Sequence, residues 1–315
     1  MAIQLTRNGM AGEKTLLPTR NAFALDYIQI YGTARLLMRD HFGNKMRNFL
    51  ADMSHPLDVM ARIGAASDVG THARNEDSAV ALMAHFGDEQ SATMVILAGV
   101  ADGVGGDANG HMASALTIQA LTESVVSRLA AFGADMRGIE LSALNIESLL
   151  IDAISVAHYQ IKRNTAGGSS TLTCALVIDR TAYIAHVGDC RAYLLNTEWK
   201  DMEIITQDHR RERKWQGFQI AANKKFTPHP HGYVLTRALG KNDQSEVDVT
   251  RRTLVNGTRL LLCSNGIWEY VSPAAIYATV LRTNQPQDSC EELVTLALAG
   301  NAYDDMTAVL IEMPD

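Results

Sequence analysis

The order in which strand-like and helix-like segments follow one another constrains the fold of this chain most strongly. Short apolar runs typical of β-strands come first, at residues 61–67, 79–84 and 93–101. Two segments with apolar residues at helical spacing follow, at about 110–131 and 146–161. Further strand-like runs occupy 171–178, 182–187, 191–195, 203–206, 233–238, 247–251 and 259–263. Strands that arrive in blocks with short connections predict antiparallel pairing.

The C-terminal part adds two helices, at about 273–282 and 289–299, and a last strand at 306–311. Ser289 and Glu292 have the spacing of a capping box, and Gly300 is suited to end the second helix. The pattern as a whole predicts an α+β fold, a four-layer α-β-β-α sandwich. Two antiparallel sheets would pack face to face, with helices covering the outer faces.

The N-terminal 60 residues follow a different pattern. Residues 22–53 are predicted to be helical because one stripe of apolar residues recurs at helical spacing: Tyr27, Ile30, Tyr31, Ala34, Leu37 and Met38. We therefore predict an N-terminal helical extension at 1–60 and a single larger domain at 61–315. The stripe would dock either on that domain, which is the simpler expectation, or on a partner protein.

Composition and charge exclude several classes of function. The net charge is −7, and the basic run at 210–214 is balanced by acids elsewhere, so we expect no nucleic-acid partner. The longest apolar runs, such as 94–98, are too short to span a bilayer, and we expect no membrane association. The 4 cysteines form no C-x-x-C pair, which indicates buried free thiols and a cytoplasmic location.

An acidic residue directly follows the most apolar strand-like run. Asp102 comes after residues 94–101, and Gly103, Gly105 and Gly106 follow it closely. A carboxylate at the end of a buried strand is costly unless an opposite charge compensates it. Glycines let the backbone approach an ion closely. A divalent cation would supply the compensating charge.

Other polar groups also stand at the ends of apolar runs: Asn75-Glu76-Asp77, Ser264-Asn265-Gly266 and Asp304-Asp305. Clusters of oxygen ligands suit hard cations such as Mg²⁺ or Mn²⁺, and no Cys/His set has zinc spacing. Each group alone is more typical of a simple turn. Their combination and order are far more specific.

These segments resemble, in order, the motifs of the PP2C family of metal-dependent serine/threonine protein phosphatases, in its bacterial branch. The matching segments are SDVG (67–70), RNEDS (74–78), ADGVGG (101–106), STLT (170–173), VGDCRAYL (187–194), QDH (207–209), VLTRALG (234–240), LCSNGIW (262–268) and DDMT (304–307). The resemblance covers about residues 61–312. It implies the two-sheet fold described above and a phosphorylated protein as substrate.

The resemblance also implies two Mn²⁺ or Mg²⁺ ions bridged by Asp102 and a hydroxide, with Gly103 giving a backbone carbonyl. Glu76 or Asp77 would hold the second ion. Asp304 and Asn265 would hold the first. The hydroxide would attack the phosphorus of phosphoserine or phosphothreonine. Many bacterial members of the family have an aspartate for a third metal just before the stretch that corresponds to 165–171 here. No acid lies between Asp152 and Asp179, so we expect any third metal site to be weak.

Several residues have both a catalytic and a structural interpretation. Arg74 is the candidate for binding phosphoryl oxygens, but the spacing is one residue short of the family pattern and a surface ion pair is an equal alternative. Asp189 and Arg191 would support the site or, as we favour, form an ion pair within a turn.

Residues 208–232 match the variable flap of the family. They contain His209, His229 and His231, which lack regular spacing, so solvent-exposed histidines are favoured over metal ligands.

Asn265 stands where the family has aspartate. An amide oxygen coordinates cations more weakly than a carboxylate, so the first ion should be held less tightly. Three explanations remain open: a natural loss of activity, an introduced inactivating change, or a site that tolerates asparagine. The intact motif around it favours a recent or introduced change. Three functions compete accordingly: an active protein phosphatase, a weak or inactive module that binds a phosphoprotein, and a hydrolase of small phosphate esters.

Overall fold

The structure is a computed structural model that describes residues 28–30, 61–86, 93–104, 108–134, 145–196, 198, 202–211, 234–243 and 246–314. Its strands, in chain order, are β1 (Ile28–Ile30), β2 (Arg62–Asp68), β3 (Asp77–Phe86), β4 (Thr93–Val104), β5 (Ser169–Ser170), β6 (Leu172–Ile178), β7 (Thr181–Val187), β8 (Arg191–Asn196), β9 (Met202–Ile204), β10 (Asp248–Thr253), β11 (Thr258–Cys263) and β12 (Met306–Glu312). Its helices are α1 (Ala108–Ala134), α2 (Ile146–Asn164), α3 (Asn265–Trp268), α4 (Pro273–Arg282) and α5 (Pro286–Ala299).

The strands form two sheets in which all the described pairs are antiparallel. Sheet A has 7 strands in the order β1-β3-β4-β6-β7-β10, with β5 paired to the end of β4. Sheet B has 5 strands in the order β2-β12-β11-β8-β9. Strand β12, the last of the described strands, lies between β2 and β11, so segments that are far apart in sequence pair within sheet B.

Strand β4 shows why the apolar runs are continuous rather than alternating. Ile96 and Ala98 belong to the core between the two sheets, together with Leu260 and Val309 of sheet B. Leu97, between them in sequence, faces the opposite side and packs with the helices. Successive side chains of a strand point to opposite faces, so a strand covered on both faces needs apolar residues throughout.

The helices cover the outer faces of both sheets. Helices α1 and α2 pack on sheet A through the apolar stripes that helical spacing predicted, including Leu121, Val125 and Ile154. Helices α4 and α5 pack on sheet B through residues such as Val280 and Leu293. The predicted α+β, four-layer α-β-β-α sandwich is therefore confirmed.

The N-terminal region differs from its prediction where it is described. Ile28–Ile30 forms β1, which pairs with Leu82–Ala84 at the edge of sheet A, whereas the apolar stripe predicted a helix there. Pairing with a sheet edge supplies backbone hydrogen bonds from a distant segment, which a local periodicity does not reveal. The other residues of the predicted extension lie outside the described part, so the division at residue 60 stays a prediction.

Two local predictions were wrong. Helix α5 begins at Pro286 and not at Ser289, since proline is favoured in the first turn, and Ser289 is buried inside the helix. Gly300 does end it, as predicted. The strand predicted at 233–238 is not part of either sheet where it is described, because Leu235 forms only an isolated bridge, to Arg210.

All 4 cysteines are free and buried, as predicted. Burial in apolar surroundings raises the pKa of Cys174 and of Cys263 to about 12, which makes these thiols unreactive. Among the helices in the described ranges, each is too short or too polar to cross a bilayer.

His186 on β7 is a buried polar residue that links strand and loop. It is 2% exposed, and its Nε2 lies 3.1 Å from the carbonyl oxygen of Gln207, while Nδ1 lies 2.8 Å from Thr173 Oγ1. Burial, and then the nearby His209, lower the pKa of His186 to about 4. The folded protein thus resists protonation that the unfolded chain accepts near pH 6.5.

We predict that His186 destabilises the fold as the pH falls from 6.5 to about 4. The unfolded state takes up the proton first, and a difference of this size corresponds to about 3 kcal/mol at most. His186→Gln should remove this part of the pH dependence, measured by urea unfolding at several pH values. Substitution of the exposed His111 by glutamine is the control. If the free energy of unfolding of the His186 variant depended on pH as steeply as that of the unchanged chain, the lowered pKa of His186 would not be the cause.

Candidate metal centre

The polar segments singled out in the sequence meet at one end of the sandwich. Strand β3 begins with Asp77, directly opposite Asp102 near the end of β4 in sheet A. In sheet B, β11 ends just before Asn265, and the neighbouring β12 begins just after Asp304. Because β11 and β12 are antiparallel, the end of one lies beside the start of the other. The packing of the two sheets brings both pairs together.

Asp77 connects the two sheets directly. It is 3% exposed, and its Oδ2 accepts a hydrogen bond of 2.7 Å from the Oγ of Ser264, the residue directly after β11 of sheet B. The same Ser264 oxygen accepts a bond from the backbone N–H of Thr307. Ser264 therefore fixes the position of Asp77 relative to the ends of β11 and β12.

Asp102 and Gly103 are held by their backbone. Asp102 N donates to Thr171 Oγ1 at 2.9 Å, and Gly103 N donates to the carbonyl of Glu76 at 3.1 Å. A Cβ atom on Gly110 would lie 2.4 Å from Glu76 Oε2 and 2.9 Å from Gly103 O. Only glycine at position 110 leaves room for these two oxygens. Asp102 keeps partial exposure, so its surroundings open to solvent.

Asn265, the first residue of α3, contacts Asp304. Its Nδ2 donates a hydrogen bond of 2.8 Å to Asp304 Oδ2. The other carboxylate oxygen of Asp304 accepts from the backbone N–H of Asp305. An aspartate at 265 would place two carboxylates in contact here, whereas the amide makes a favourable bond.

Asp305 is a structural residue of the site. In the sequence it stands out only as the second member of the polar pair Asp304-Asp305. It is 2% exposed and accepts from the backbone N–H of Glu76 at 2.6 Å and of Gly70 at 2.9 Å. His72 Nδ1 lies 3.2 Å from the same carboxylate. Asp305 thus anchors the segment that leads into Asp77. Arg74 lies on this segment with its side chain exposed, and its role stays a prediction.

Crowding of carboxylates perturbs their acidity. Burial raises the pKa of Asp77 well above its usual range, and the charges of Asp305 and Asp304 raise it further, although hydrogen bonds from Thr307 and Ser264 oppose this. Burial also raises the pKa of Asp102, helped by the charges of Asp77 and Asp189. Mutual electrostatic effects among these acids indicate one cluster that would be stabilised by positive charge.

Two oxygens of this cluster fit a cation. Asp77 Oδ1 and Asn265 Oδ1 are buried and have no hydrogen-bond partner among the described residues. Buried polar atoms are normally satisfied, so an unmet acceptor in an acidic cluster is consistent with a hard cation as the missing partner. Within the described ranges, no three acidic, cysteine or histidine side chains form a ready-made metal site. Cation binding would therefore draw the carboxylates closer together.

A second group of charged residues lies beside the cluster, and its pairing differs from the predicted turn ion pair. Asp189 and Arg191 do not pair with each other. Arg191 makes two bonds to Asp208, at 2.9 and 2.7 Å, and Asp189 pairs with Arg210. Each ion pair therefore joins this turn to the segment that contains Asp208 and Arg210, and neither lies within the turn.

His209 was predicted to be exposed, and this prediction was wrong. It is 7% exposed, and its Nδ1 accepts from the backbone N–H of Gly188 at 3.1 Å. Its Nε2 lies 3.0 Å from Asp248 Oδ2, so the proton sits on Nε2. A backbone donor on one side and a carboxylate on the other satisfy the ring inside the domain. His229 and His231 lie outside the described residues.

Comparison with known proteins identifies the family. Residues 65–306 match the family model described as protein phosphatase 2C. The chain is 27% identical over 253 residues to protein phosphatase PhpP of Streptococcus pneumoniae, covering 80% of this chain and 97% of that protein. It is 30% identical over 261 residues to serine/threonine protein phosphatase PstP of Mycobacterium tuberculosis, covering 82% of this chain and 46% of that protein.

A solved structure agrees with this result. The crystal structure of the catalytic domain of serine threonine protein phosphatase PstP in complex with 2 manganese ions is similar, with 29% identity and a TM-score of 0.60. The match covers 81% of this chain and 99% of that one. The motifs, the two-sheet fold and these matches agree, and the chain belongs to the protein phosphatase 2C family of metal-dependent serine/threonine phosphatases.

Proposed function

We propose that this chain hydrolyses phosphoserine and phosphothreonine in proteins at a centre that holds two Mn²⁺ or Mg²⁺ ions. The observation that carries the proposal is the convergence of Asp77, Asp102 and Asp304 at one end of the sandwich, with Asp77 Oδ1 buried and unpartnered among the described residues. Family membership supports the reaction. The identity of the cation, the number of cations bound and the roles of the individual residues are proposed here as well.

The residues that would hold the ions come from both sheets. Asp102 and the carbonyl of Gly103 lie at the end of β4, and Glu76 and Asp77 lie at the start of β3. Asp304 lies just before β12 of sheet B, and Asn265, whose amide oxygen would coordinate, is the first residue of α3 and follows β11. When bound, divalent cations lower the pKa of coordinated water and neutralise charge on phosphoryl oxygens.

Protein groups would orient the ligands and the substrate. Ser264 holds one oxygen of Asp77 and leaves the other available. Asp305 fixes the segment that carries Arg74, whose exposed guanidinium would contact the phosphoryl group of the substrate. The partial exposure of Asp102 gives the phosphoryl group access to the cluster.

The substrate would be a phosphorylated protein rather than a small phosphate ester. The relatives PhpP and PstP are named protein phosphatases, which supports this choice. We also propose a cytoplasmic location, because 4 buried free cysteines suit a reducing compartment.

One observation favours a second candidate, a weakly active module that binds a phosphoprotein. The Asn265 amide donates to Asp304 and so occupies a carboxylate oxygen that a cation would otherwise contact. A protein that holds cations poorly would still bind a phosphoprotein through the surrounding surface. The two candidates differ in whether turnover occurs with saturating Mn²⁺.

Turnover of a phosphothreonine peptide should depend on Mn²⁺ and on Asp102. Asp102→Asn should lower kcat/KM by about 100-fold or more, the scale on which loss of one electrostatic group reduces turnover. Phosphate release at saturating Mn²⁺ measures this, with Asp152→Asn on the exposed face of α2 as the control. Absence of turnover in the unchanged chain would favour the binding module. Faster hydrolysis of nucleotides than of phosphopeptides would instead indicate a small-ester hydrolase.

Asn265→Asp should have opposite effects with and without cation. Without a cation, the variant loses the hydrogen bond to Asp304 and places two carboxylates next to each other. This should lower the free energy of unfolding by about 1–3 kcal/mol. With Mn²⁺, the added charged ligand should raise kcat/KM by about tenfold or more. Urea unfolding in chelator and peptide hydrolysis in Mn²⁺ measure the two effects, with the exposed Asn242→Asp as control. If the variant and the unchanged chain had the same free energy of unfolding and the same kcat/KM, residue 265 would not be part of the metal centre.

A further inference from the structure

An exposed aromatic ring lies directly beside the candidate metal centre. Tyr303 immediately precedes Asp304 and is 60% exposed, the largest value among the large apolar and aromatic residues that the structure describes. A single exposed ring is ordinary on a protein surface. The argument therefore rests on where Tyr303 lies and on how it is held.

The backbone of Tyr303 is fixed by the loop that leads into β3. The backbone N–H and the Oγ1 of Thr71 both donate to the carbonyl oxygen of Tyr303, at 2.9 and 3.0 Å. A Cβ atom on Gly70 would lie 2.4 Å from the same oxygen and 2.3 Å from the carbonyl oxygen of Asp304. Glycine at position 70 thus permits the close approach that fixes Tyr303 and Asp304 against this loop.

The ring of Tyr303 is supported by a second aromatic ring. Tyr270 packs edge to face with it, with ring centres 5.7 Å apart and an angle of 88° between the ring planes. Tyr270 follows α3, which begins with Asn265. Both rings therefore belong to segments that carry residues of the metal centre. The contact with Tyr270 orients the Tyr303 ring and leaves most of it open to a ligand.

A peptide whose phosphoryl group is held at the centre would pass close to this ring. An extended peptide advances about 3.3–3.6 Å per residue, so residues one or two positions from the phosphorylated one lie within about 7 Å of it along the chain. Tyr303 and Asp304 are consecutive, so the ring and the centre are separated by a similarly short distance. The neighbours of the phosphorylated residue are thus the groups that the ring can contact.

The surroundings of the ring suit an apolar side chain better than a basic one. Glu269, next to Tyr270, is paired with Arg210 at 2.5 Å. In the proposed function a cation neutralises Asp304, and the exposed Arg74 on the loop that holds Tyr303 adds positive charge. The nearby acids then exert little attraction on a basic side chain, whereas the ring offers apolar surface.

We propose that Tyr303, supported by Tyr270, is a specificity-determining residue that binds an apolar side chain next to the phosphorylated residue of the substrate. The inference rests on the proposed function, since it assumes that the phosphoryl group binds at the centre. The ring adds binding energy for phosphoproteins with an apolar flanking residue, and it adds none for a polar flanking residue.

The proposal is tested by the binding of peptides that carry a hydrolysis-resistant phosphonate in place of phosphothreonine. The peptides differ only in the two flanking residues, which are both phenylalanine, both serine or both arginine. Fluorescence anisotropy in Mn²⁺ should give a dissociation constant about tenfold lower for the phenylalanine peptide than for the serine peptide, the scale of one aromatic anchor. In Tyr303→Ala the two constants should agree within about twofold, and Tyr303→Phe should keep the preference.

Tyr159→Ala is the matched control. Tyr159 lies on α2, is 56% exposed, and also packs edge to face with a neighbouring ring, that of His158 at 5.5 Å. Its removal should leave the preference for the phenylalanine peptide intact. Because the readout is a ratio of two peptides on one protein, a general disturbance of the centre changes both constants and leaves the ratio unchanged.

Equal binding of the phenylalanine and serine peptides by the unchanged chain would overturn the proposal, as would a preference that persists in Tyr303→Ala. Tightest binding of the arginine peptide would overturn the apolar assignment. Hydrolysis of the matching phosphothreonine peptides is measured in parallel. A preference that depends on Tyr303 without any hydrolysis would count against the proposed function alone, and hydrolysis without the preference would count against this inference alone.

Discussion

Crowding of buried carboxylates at one end of the sandwich is the constraint on which the rest of the site depends. Asp77 and Asp305 are almost fully buried, and they lie close enough to Asp304 for its charge to act on Asp77. Like charges in a protein interior repel strongly unless protons, hydrogen bonds or cations compensate them. The fold supplies hydrogen bonds from Ser264 and from the backbone of Gly70 and Glu76. Unmet acceptors remain, and they are where positive charge is needed.

The fold and the approximate place of the site could be predicted because the features that indicate them lie within short stretches of sequence. Buried strands read as continuous apolar runs, amphipathic helices as stripes, and the acids fall where strands begin or end. Asp77 and Asp102 share a register position in sheet A, which follows once β3 and β4 pair as neighbours. The predicted roles of the individual ligands remain predictions, since they depend on cations and substrate.

The features that sequence did not reveal depend on contacts between distant residues. Arg210 pairs with Asp189 and Glu269, and His209 is buried because Gly188 and Asp248 enclose it. Strand β1 exists through pairing with β3 and has no local signature distinct from a helix. For Asp305, a second acid directly after Asp304 was the available signal. Its structural role depends on backbone N–H groups of Gly70 and Glu76, which are far from Asp305 in sequence.

The most direct test is anomalous diffraction from crystals grown with Mn²⁺. Anomalous peaks should appear in the space bounded by Asp77, Asp102, the Gly103 carbonyl and Asp304, with the carboxylates drawn together around them. Strong peaks elsewhere and none in this space, at a Mn²⁺ concentration that supports turnover, would contradict the account.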